Sequence, residues 1–332
     1  MIRILLAAGI FCITLTLALA GQDFPVLQQA PQSPARPAPA KPEEDAPFTL
    51  SVDTRLVQIP VSVTTKEGKT LDNLPQSSFQ IFEDNVLQEI TIFKHEDVPL
   101  SLGLVIDNSG SMRNKRQRVN SAALTFVRES NMDDETFIVD FDDEAILRQQ
   151  FTGSMSDLVD ALSDINTQGE TAMNDAIYVS LDYMKKGSRD KKALLVISDG
   201  EDNKSKYGIN KLLERVRLAK DVTIYAIGLL EENDDRGGFF GKSPSKKAKD
   251  DLTKIAEMTG GEAYFPKTID EVSGICKKIA RDLRNQYTIG YSPKNTKADG
   301  GERAIRVNVT PPPGATSKLN VRARSGYTAP AS

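Results

Sequence analysis

A short segment of the chain carries oxygen donors at alternate positions. Asp107 offers a carboxylate, while Ser109 and Ser111 offer hydroxyls in a tight turn that Gly110 permits. Hard oxygen donors suit Mg²⁺, Mn²⁺ or Ca²⁺ better than zinc or copper. Asp, Ser and Gly also occur in loops where they only bond their own backbone. The turn by itself therefore leaves both a metal site and an ordinary loop open.

Two more segments offer oxygen donors that could join this turn. Asp199 follows an apolar run that ends at Ile197, and Thr171 stands just before a helix-like stretch that begins at Met173. In an open α/β sheet, the loops at the carboxyl ends of the strands form the ligand crevice. We therefore expect the three loops to meet at one rim of the sheet.

The strands and helices that would position these loops are predicted after Pro99, where two sequence patterns alternate. Short apolar runs typical of strands covered on both faces are Leu100–Ile106, Phe137–Phe141, Ala193–Ile197 and Val222–Ile227. Helix-like stretches are Gln117–Arg128, Met173–Met184, Ile209–Ala219, Asp250–Met258 and Val272–Arg284. The alternation predicts an α/β fold with a doubly wound, mostly parallel sheet over residues 99–284.

Segments rich in β pattern flank this α/β part on both sides, at 47–98 and 285–328. The first begins with alternating apolar residues from Val57 to Val63, in which Pro60 predicts an edge strand. Apolar positions around a polar turn then predict a hairpin or paired strands: Phe79, Ile81, Ile90 and Ile92. The simplest topology pairs the C-terminal strands with the N-terminal ones in a second, smaller β domain. Two separate small sheets are the alternative.

The oxygen donors on three loops resemble the metal-ion-dependent adhesion site of von Willebrand factor A domains. The resemblance spans roughly residues 99–284. Asp107, Ser109 and Ser111 match its first motif, Thr171 matches its threonine loop, and Asp199 matches its distal aspartate. It implies that the two serines, with or without Thr171, bind the ion directly, while the two aspartates act partly through water. It also implies a coordination position left for a carboxylate of a protein partner.

The flanking segments are similar to the bacterial proteins described as von Willebrand factor A-related of the Acidobacteria type. Their less specific motifs are Asp53–Phe93, Tyr287–Pro293 and Val321–Tyr327. That resemblance implies export but no assigned activity.

The N-terminus has the order of a secretory signal peptide. Arg3 precedes an apolar run that ends in Ala18-Leu19-Ala20, which predicts cleavage of residues 1–20. An uncleaved anchor is the alternative. Residues 21–46 are rich in Pro and Ala and are predicted to form a disordered linker. We expect an exported protein of the periplasm, cell envelope or exterior, with no membrane span after cleavage.

Other features narrow the function classes. The net charge of -4 comes from mixed acidic and basic residues, which argues against a nucleic-acid partner. His95 is the only histidine and has no evident nucleophile beside it, so we predict no enzymatic activity. Cys276 is expected to be buried, and Glu231–Lys249 is expected to form a mobile rim loop. The acidic residues Asp140, Asp142, Asp143 and Glu144 are expected to form a solvated loop, and the alternative is that they extend the metal rim or attract a basic partner.

The leading hypothesis is an exported module that captures an acidic residue of a protein partner through a bound Mg²⁺, with Mn²⁺ or Ca²⁺ possible. A Mg²⁺-dependent hydrolase and a structural domain with a purely stabilising metal are the alternatives.

Overall fold

The computed structural model describes residues 56–129, 131–163, 167–200, 202–230, 244–311 and 318–331. The predicted signal peptide and the predicted linker lie outside these residues. Within them, no helix is long and apolar enough to cross a membrane.

The described strands are β1 Val57–Thr64, β2 Phe79–Glu83, β3 Val86–Gln88, β4 Ile90–Lys94, β5 Leu100–Asp107, β6 Glu135–Phe141, β7 Ala145–Thr152, β8 Lys191–Ser198, β9 Val222–Gly228, β10 Ala263–Tyr264, β11 Tyr287–Tyr291, β12 Glu302–Val309, β13 Asn320–Ala323 and β14 Gly326–Thr328. The described α-helices are α1 Arg116–Arg128, α2 Met155–Ser163, α3 Met173–Tyr183, α4 Ile209–Leu218, α5 Pro244–Met258 and α6 Glu271–Arg284.

The central sheet has six strands in the order β10-β9-β8-β5-β6-β7. Its strands pair in parallel except β7, which pairs antiparallel with β6. Every residue of β5 is buried, because α1 and α6 cover one face of the sheet while α3 and α4 cover the other. This burial on both faces explains the continuous apolar run at Leu100–Ile106. The predicted fold class is confirmed.

Two antiparallel sheets contain the flanking strands, in the orders β13-β1-β11-β4 and β14-β12-β2-β3. Strand β1 pairs with β11, and β2 pairs with β12, so strands that precede the α/β part pair with strands that follow it. The two sheets share one apolar core, which includes Ile59, Ile81, Tyr287 and Ile305. A second β unit thus closes around the two ends of the α/β part.

The prediction that β1 is an edge strand is wrong, because β1 lies between β13 and β11. Strand β13 pairs only with Val61–Thr64, so Pro60 has a paired strand on one side alone, where it faces Thr288. Proline is tolerated in this inner strand because β13 does not extend to Pro60, so no hydrogen bond from an N–H of residue 60 to β13 is required.

The predicted pairing of Phe79 and Ile81 with Ile90 and Ile92 is also wrong. The hairpin partner of β2 is β3, and β4 joins β11 in the other sheet. The hairpin turn is Asp84-Asn85, whose φ angles of 48° and 66° lie in the left-handed region. Positive φ at both central residues is the geometry of a tight two-residue hairpin, which leaves no room for a longer loop.

Two elements of the α/β part, β7 and α2, were not predicted from the pattern of apolar residues in the sequence. Strand β7 follows β6 after a short turn, and α2 buries its own Leu158 and Leu162 in the core of the α/β part. The rim loop predicted for Glu231–Lys249 is wrong in its last part, because α5 begins at Pro244 rather than at Asp250. Proline suits the first turn of a helix, where its missing N–H has no intrahelical partner. Residues 231–243 lie outside the described ranges.

Candidate metal centre

Asp107 lies at the carboxyl end of β5 and is fully buried. Its Oδ1 accepts a hydrogen bond from the Ser109 amide at 2.8 Å, and its Oδ2 accepts one from the Ser198 hydroxyl at 2.5 Å. Burial raises the pKa of this carboxyl, although the bonds from Ser109 and Ser198 act in the opposite direction. The Asp107 carboxylate therefore connects the turn that contains Ser109 and Ser111 to the end of β8.

The two serine hydroxyls of the turn lie side by side, with 3.1 Å between the Oγ atoms of Ser109 and Ser111. Ser111 donates its hydroxyl proton to Oδ1 of Asp199 at 2.7 Å. A hydroxyl that donates its proton keeps its lone pairs for another interaction. Asp199, which follows β8, thus sets the direction of the Ser111 proton and leaves the oxygen able to act as a ligand.

Thr171 stands on the loop before α3 and is held by the loop that follows Asp199. The amide of Thr171 donates to the Asn203 side-chain oxygen at 2.9 Å, and its carbonyl accepts from the amides of Asn203 and Lys204. A methyl group added at Gly200 would lie 3.5 Å from the Thr171 hydroxyl, so the two loops touch. The first loop joins them as well, because the Gly110 amide donates to the Gly169 carbonyl at 3.2 Å.

The three loops therefore meet at one rim, and the five residues predicted as ligands lie on them. Asp107, Ser109, Ser111 and Asp199 are linked directly by hydrogen bonds, whereas Thr171 reaches the group through the backbone of its neighbours. Their role as metal ligands stays a prediction.

Two cations that the sequence did not single out lie under the rim. The Lys115 ammonium is 2.6 Å from Oδ2 of Asp199, and Arg116 donates from Nη1 to the Asp107 carbonyl at 2.9 Å. Burial lowers the pKa of Arg116 to about 10, while the charges of Asp140 and Asp107 oppose that change. The negative charge of the two aspartates is therefore partly compensated by the protein itself.

The acidic residues 140–144 are not simply a solvated loop, as the sequence suggested. Asp140 is buried, and it accepts from Arg148 at 2.7 Å and from Asn108 at 3.3 Å. Asp143 is exposed, but it accepts from the Glu170 amide at 2.9 Å. Ala172 donates to the Asp142 carbonyl at 2.7 Å. This acidic turn holds the threonine loop in place, and it follows β6, the strand that pairs with β5.

The donor set fits an octahedral divalent ion. Mg²⁺ takes oxygen ligands at about 2.1 Å in an octahedron, so adjacent ligands lie about 3 Å apart. The separation of 3.1 Å between the Ser109 and Ser111 oxygens meets this requirement. Within the described part of the chain, no group of three or more His, Cys, Asp or Glu side chains is placed to hold a metal ion. A metal site at the rim would therefore depend on the hydroxyls of Ser109 and Ser111 as well as on carboxylates.

Several residues that contact the rim loops or their neighbours escaped sequence reasoning: Lys115, Arg116, Ser198, Asn203 and Asp202, which accepts from the Asn174 side chain at 2.9 Å. One signal was available for the first two. Basic residues at the start of α1 oppose the helix dipole, and the first turn of α1 contains no acidic residue. Such a placement indicates that carboxylates elsewhere compensate these charges. No local pattern marks the other three residues.

The His95 ring packs on Tyr287, a residue of the core of the second β unit, with 4.7 Å between the ring centroids. Cys276 is buried in the core of the α/β part, and burial raises the pKa of its thiol to about 12.

Comparison with known proteins gives a family for the α/β part. Residues 102–201 match the model of the von Willebrand factor type A domain. This segment includes all five predicted ligands. The finer resemblance to the Acidobacteria-type proteins stays a prediction. No curated protein matches the chain at a significant level.

The solved structures that match part of this chain come from proteins of low sequence identity. Proximal thread matrix protein 1 from the mussel byssus, in a structure described as having a zinc-occupied MIDAS motif, is 18% identical, with 61% of this chain and 50% of that chain covered and a TM-score of 0.47. The von Willebrand factor domain of the type V pili tip protein Mfa5 from Porphyromonas gingivalis is 15% identical, with coverages of 56% and 95% and a TM-score of 0.44. The PilB minor pilin from Streptococcus sanguinis is 12% identical, with coverages of 58% and 62% and a TM-score of 0.44.

The present chain thus spans only about half of the mussel protein and 62% of the pilin. The rim of three loops at the ends of β5 and β8 lies within the segment that the family model matches. The α/β part thus matches the von Willebrand factor type A domain over residues 102–201.

Proposed function

We propose that this chain is an exported protein-binding module that captures an acidic side chain of a partner through a divalent ion of the Mg²⁺ type. The ion would be held by Asp107, Ser109, Ser111, Thr171 and Asp199. The proposal places the protein in the periplasm, in the cell envelope or outside the cell, and it includes no enzymatic activity.

The observation that carries the proposal is the pair of serine oxygens 3.1 Å apart above a buried aspartate. Ser109 and Ser111 are neutral donors, and the carboxylates beside them already accept hydrogen bonds from the protein. A bound ion supplies a strong local positive charge. Where the direct ligands are neutral, much of that charge is left for a carboxylate from outside.

The charges of the chain around the rim agree with this role. Lys115 and Arg116 offset the charge of Asp199 and Asp107, so the aspartates do not surround the site with free negative charge. An approaching acidic side chain then meets less repulsion than it would at a cluster of unpaired carboxylates.

The test is capture of partners from an envelope extract by the immobilised protein, with Mg²⁺ and with EDTA. The matched variants are Asp107→Ala, which removes a rim carboxylate, and Asp133→Ala, which removes an exposed carboxylate outside the rim loops. We expect a protein that is retained with Mg²⁺ by the parent and by Asp133→Ala, and that is lost with EDTA or with Asp107→Ala. Equal retention in EDTA would leave a structural domain as the better description.

Thr171→Ala separates binding from folding. The variant loses one neutral oxygen that water can replace, so we expect a stability loss on the order of 1 kcal/mol. Partner affinity should fall by more than this, because the ion would present its exposed face in a different direction. Measuring affinity and melting temperature for parent and variant, each with Mg²⁺ and with EDTA, checks both statements. A hydrolytic screen of the Mg²⁺-loaded protein checks the expectation of no enzymatic activity.

A further inference from the structure

The side chain of Lys115 forms an ion pair with Asp199, one of the proposed metal ligands. Its ammonium lies 2.6 Å from Oδ2 of Asp199, while the Ser111 hydroxyl binds Oδ1 of the same carboxylate. The Asp199 side chain is 0% exposed, and that of Lys115 is 25% exposed. Both oxygens of Asp199 are therefore engaged inside the protein, one of them by a full positive charge.

The position of Lys115 in the fold is not explained by the helix that it precedes. Lys115 is the N-cap residue of α1, and its side chain makes no capping hydrogen bond. A positive charge at this end of a helix is unfavourable, because the helix dipole is positive there. The ion pair with Asp199, 84 residues away, offsets this cost. Lys115 is thus held at the rim by the metal-site carboxylate.

We propose that Lys115 is an internal cation that competes with the divalent ion for Asp199 and thereby sets the metal affinity of the site. The inference rests on the proposed function only in taking the five rim residues as the metal site. Two cations beside one carboxylate repel each other. When a divalent ion binds, the Lys115 ammonium must therefore move away from Oδ2 of Asp199, or the repulsion between the two cations weakens the binding.

The lysine side chain is suited to such an exchange. Its stem is flexible and its ammonium is a compact, strongly hydrated charge, unlike the planar group of arginine. Because a quarter of the side chain is already exposed, water can solvate the ammonium when it moves away. In the metal-free protein, the same ammonium compensates the charge of Asp199 and allows the three loops to keep their arrangement.

The experiment measures the dissociation constant for Mg²⁺ by calorimetry on the purified protein, together with the melting temperature in EDTA. Lys115→Met removes the charge and keeps most of the stem, and Lys115→Arg keeps the charge. Arg113→Met is the matched control, because Arg113 is an exposed cation of the same loop that is not an ion-pair partner of Asp199. Lys115→Gln replaces Lys115→Met if that variant does not fold.

We expect Lys115→Met to bind Mg²⁺ about tenfold more tightly than the parent, since the pair that it removes is partly buried and weakly screened. The same variant should melt at a lower temperature in EDTA, because Asp199 loses its counterion. Lys115→Arg should stay within about threefold of the parent, because it keeps the positive charge beside Asp199. Arg113→Met should also stay within about threefold, because an exposed charge acts mainly through a screened field.

Two results overturn the inference while leaving the metal site intact. In the first, Lys115→Met binds Mg²⁺ no more tightly than the parent. In the second, Arg113→Met tightens binding by the same factor, so that net charge alone explains the change. If neither the parent nor Lys115→Met binds Mg²⁺, the metal site and the inference both fail. Binding by Lys115→Met alone would support the inference in its strongest form.

Discussion

Two buried carboxylates with basic partners lie in different regions of this molecule. Asp199 belongs to the rim, and Asp282 belongs to a polar cluster between α6, β9 and β13. Asp282 accepts from the Tyr225 hydroxyl and from Arg322 at 2.5 Å each, and Arg322 also pairs with Glu262. Burial raises the pKa of Asp282 and lowers that of Arg322, because it disfavours the charged form of each group.

The two carboxylates differ in the structural elements to which their partner residues belong. Tyr225 and Arg322 stand on strands, and Arg322 links the second β unit to the α/β part. The partners of Asp199 are Ser111 and Lys115, which lie four residues apart in the turn before α1. A carboxylate held by strands has fixed partners, whereas one held by a turn can exchange them at lower cost. Burial of an acid alone thus does not mark a functional site in this fold.

The largest effect should come from breaking the cluster between α6, β9 and β13. Asp282→Ala removes one of the two counterions of the buried Arg322 and leaves the buried Tyr225 hydroxyl without its acceptor. We expect a loss of about 3–5 kcal/mol in the free energy of unfolding. Urea denaturation measures this loss, which should be equal with Mg²⁺ and with EDTA. Glu214→Ala, at an exposed pair on α4, is the control and should cost less than about 1 kcal/mol. A loss in Asp282→Ala no larger than in the control would remove the contrast between the two carboxylates.

The next effect concerns the rim and should depend on metal. At a Mg²⁺ concentration a hundredfold above the dissociation constant, the parent should gain roughly 2.7 kcal/mol in stability. Asp199→Ala should lose this gain, whereas Asp282→Ala, if folded, should keep it. Thermal unfolding with Mg²⁺ and with EDTA measures both. A normal response in Asp199→Ala would show that the ion binds elsewhere.

A smaller effect, dependent on pH, is expected near Asp282. Burial lowers the pKa of Lys191 to about 8, although Asp97 and Asp282 act in the opposite direction. Since the unfolded chain then binds the proton more readily, stability should rise as the pH increases above about 8. Between pH 8 and 9.5 we expect the parent to gain about 1 kcal/mol relative to Lys191→Met. Urea unfolding across this range checks the slope, and parallel curves for the two proteins would contradict it.

The smallest effect should come from loosening the threonine loop. Asn203→Ala removes the acceptor for the Thr171 amide, and we expect a stability loss of about 0.5 kcal/mol, because Asn203 is exposed to water. Mg²⁺ affinity should fall by about threefold, since the displaced loop carries one of the proposed ligands. Calorimetry measures this change, and Asn295→Ala in the second β unit is the control. An unchanged affinity would assign Thr171 no part in the metal site.

The sequence predicted much of the α/β part, because residues covered on both faces give continuous apolar runs. The runs at Leu100–Ile106 and Val222–Ile227 lie within β5 and β9, as their composition indicates. The second β unit was harder to predict. Alternation identifies a strand but not its neighbour, so the partners assigned to Ile90 and Ile92 were wrong and the edge position assigned from Pro60 was wrong.

The sequence by itself determined the residue types and spacing of the rim, since Asp107, Ser109 and Ser111 lie within one turn and each follows from a local pattern. Only the tertiary structure decided which distant groups meet them. Lys115 pairs with an aspartate 84 residues away, and Ser198 binds Asp107 across 91 residues. Local periodicity reports which face of an element is buried. It carries no information on which strand ends are brought together, because the order of strands in the sheet makes that choice.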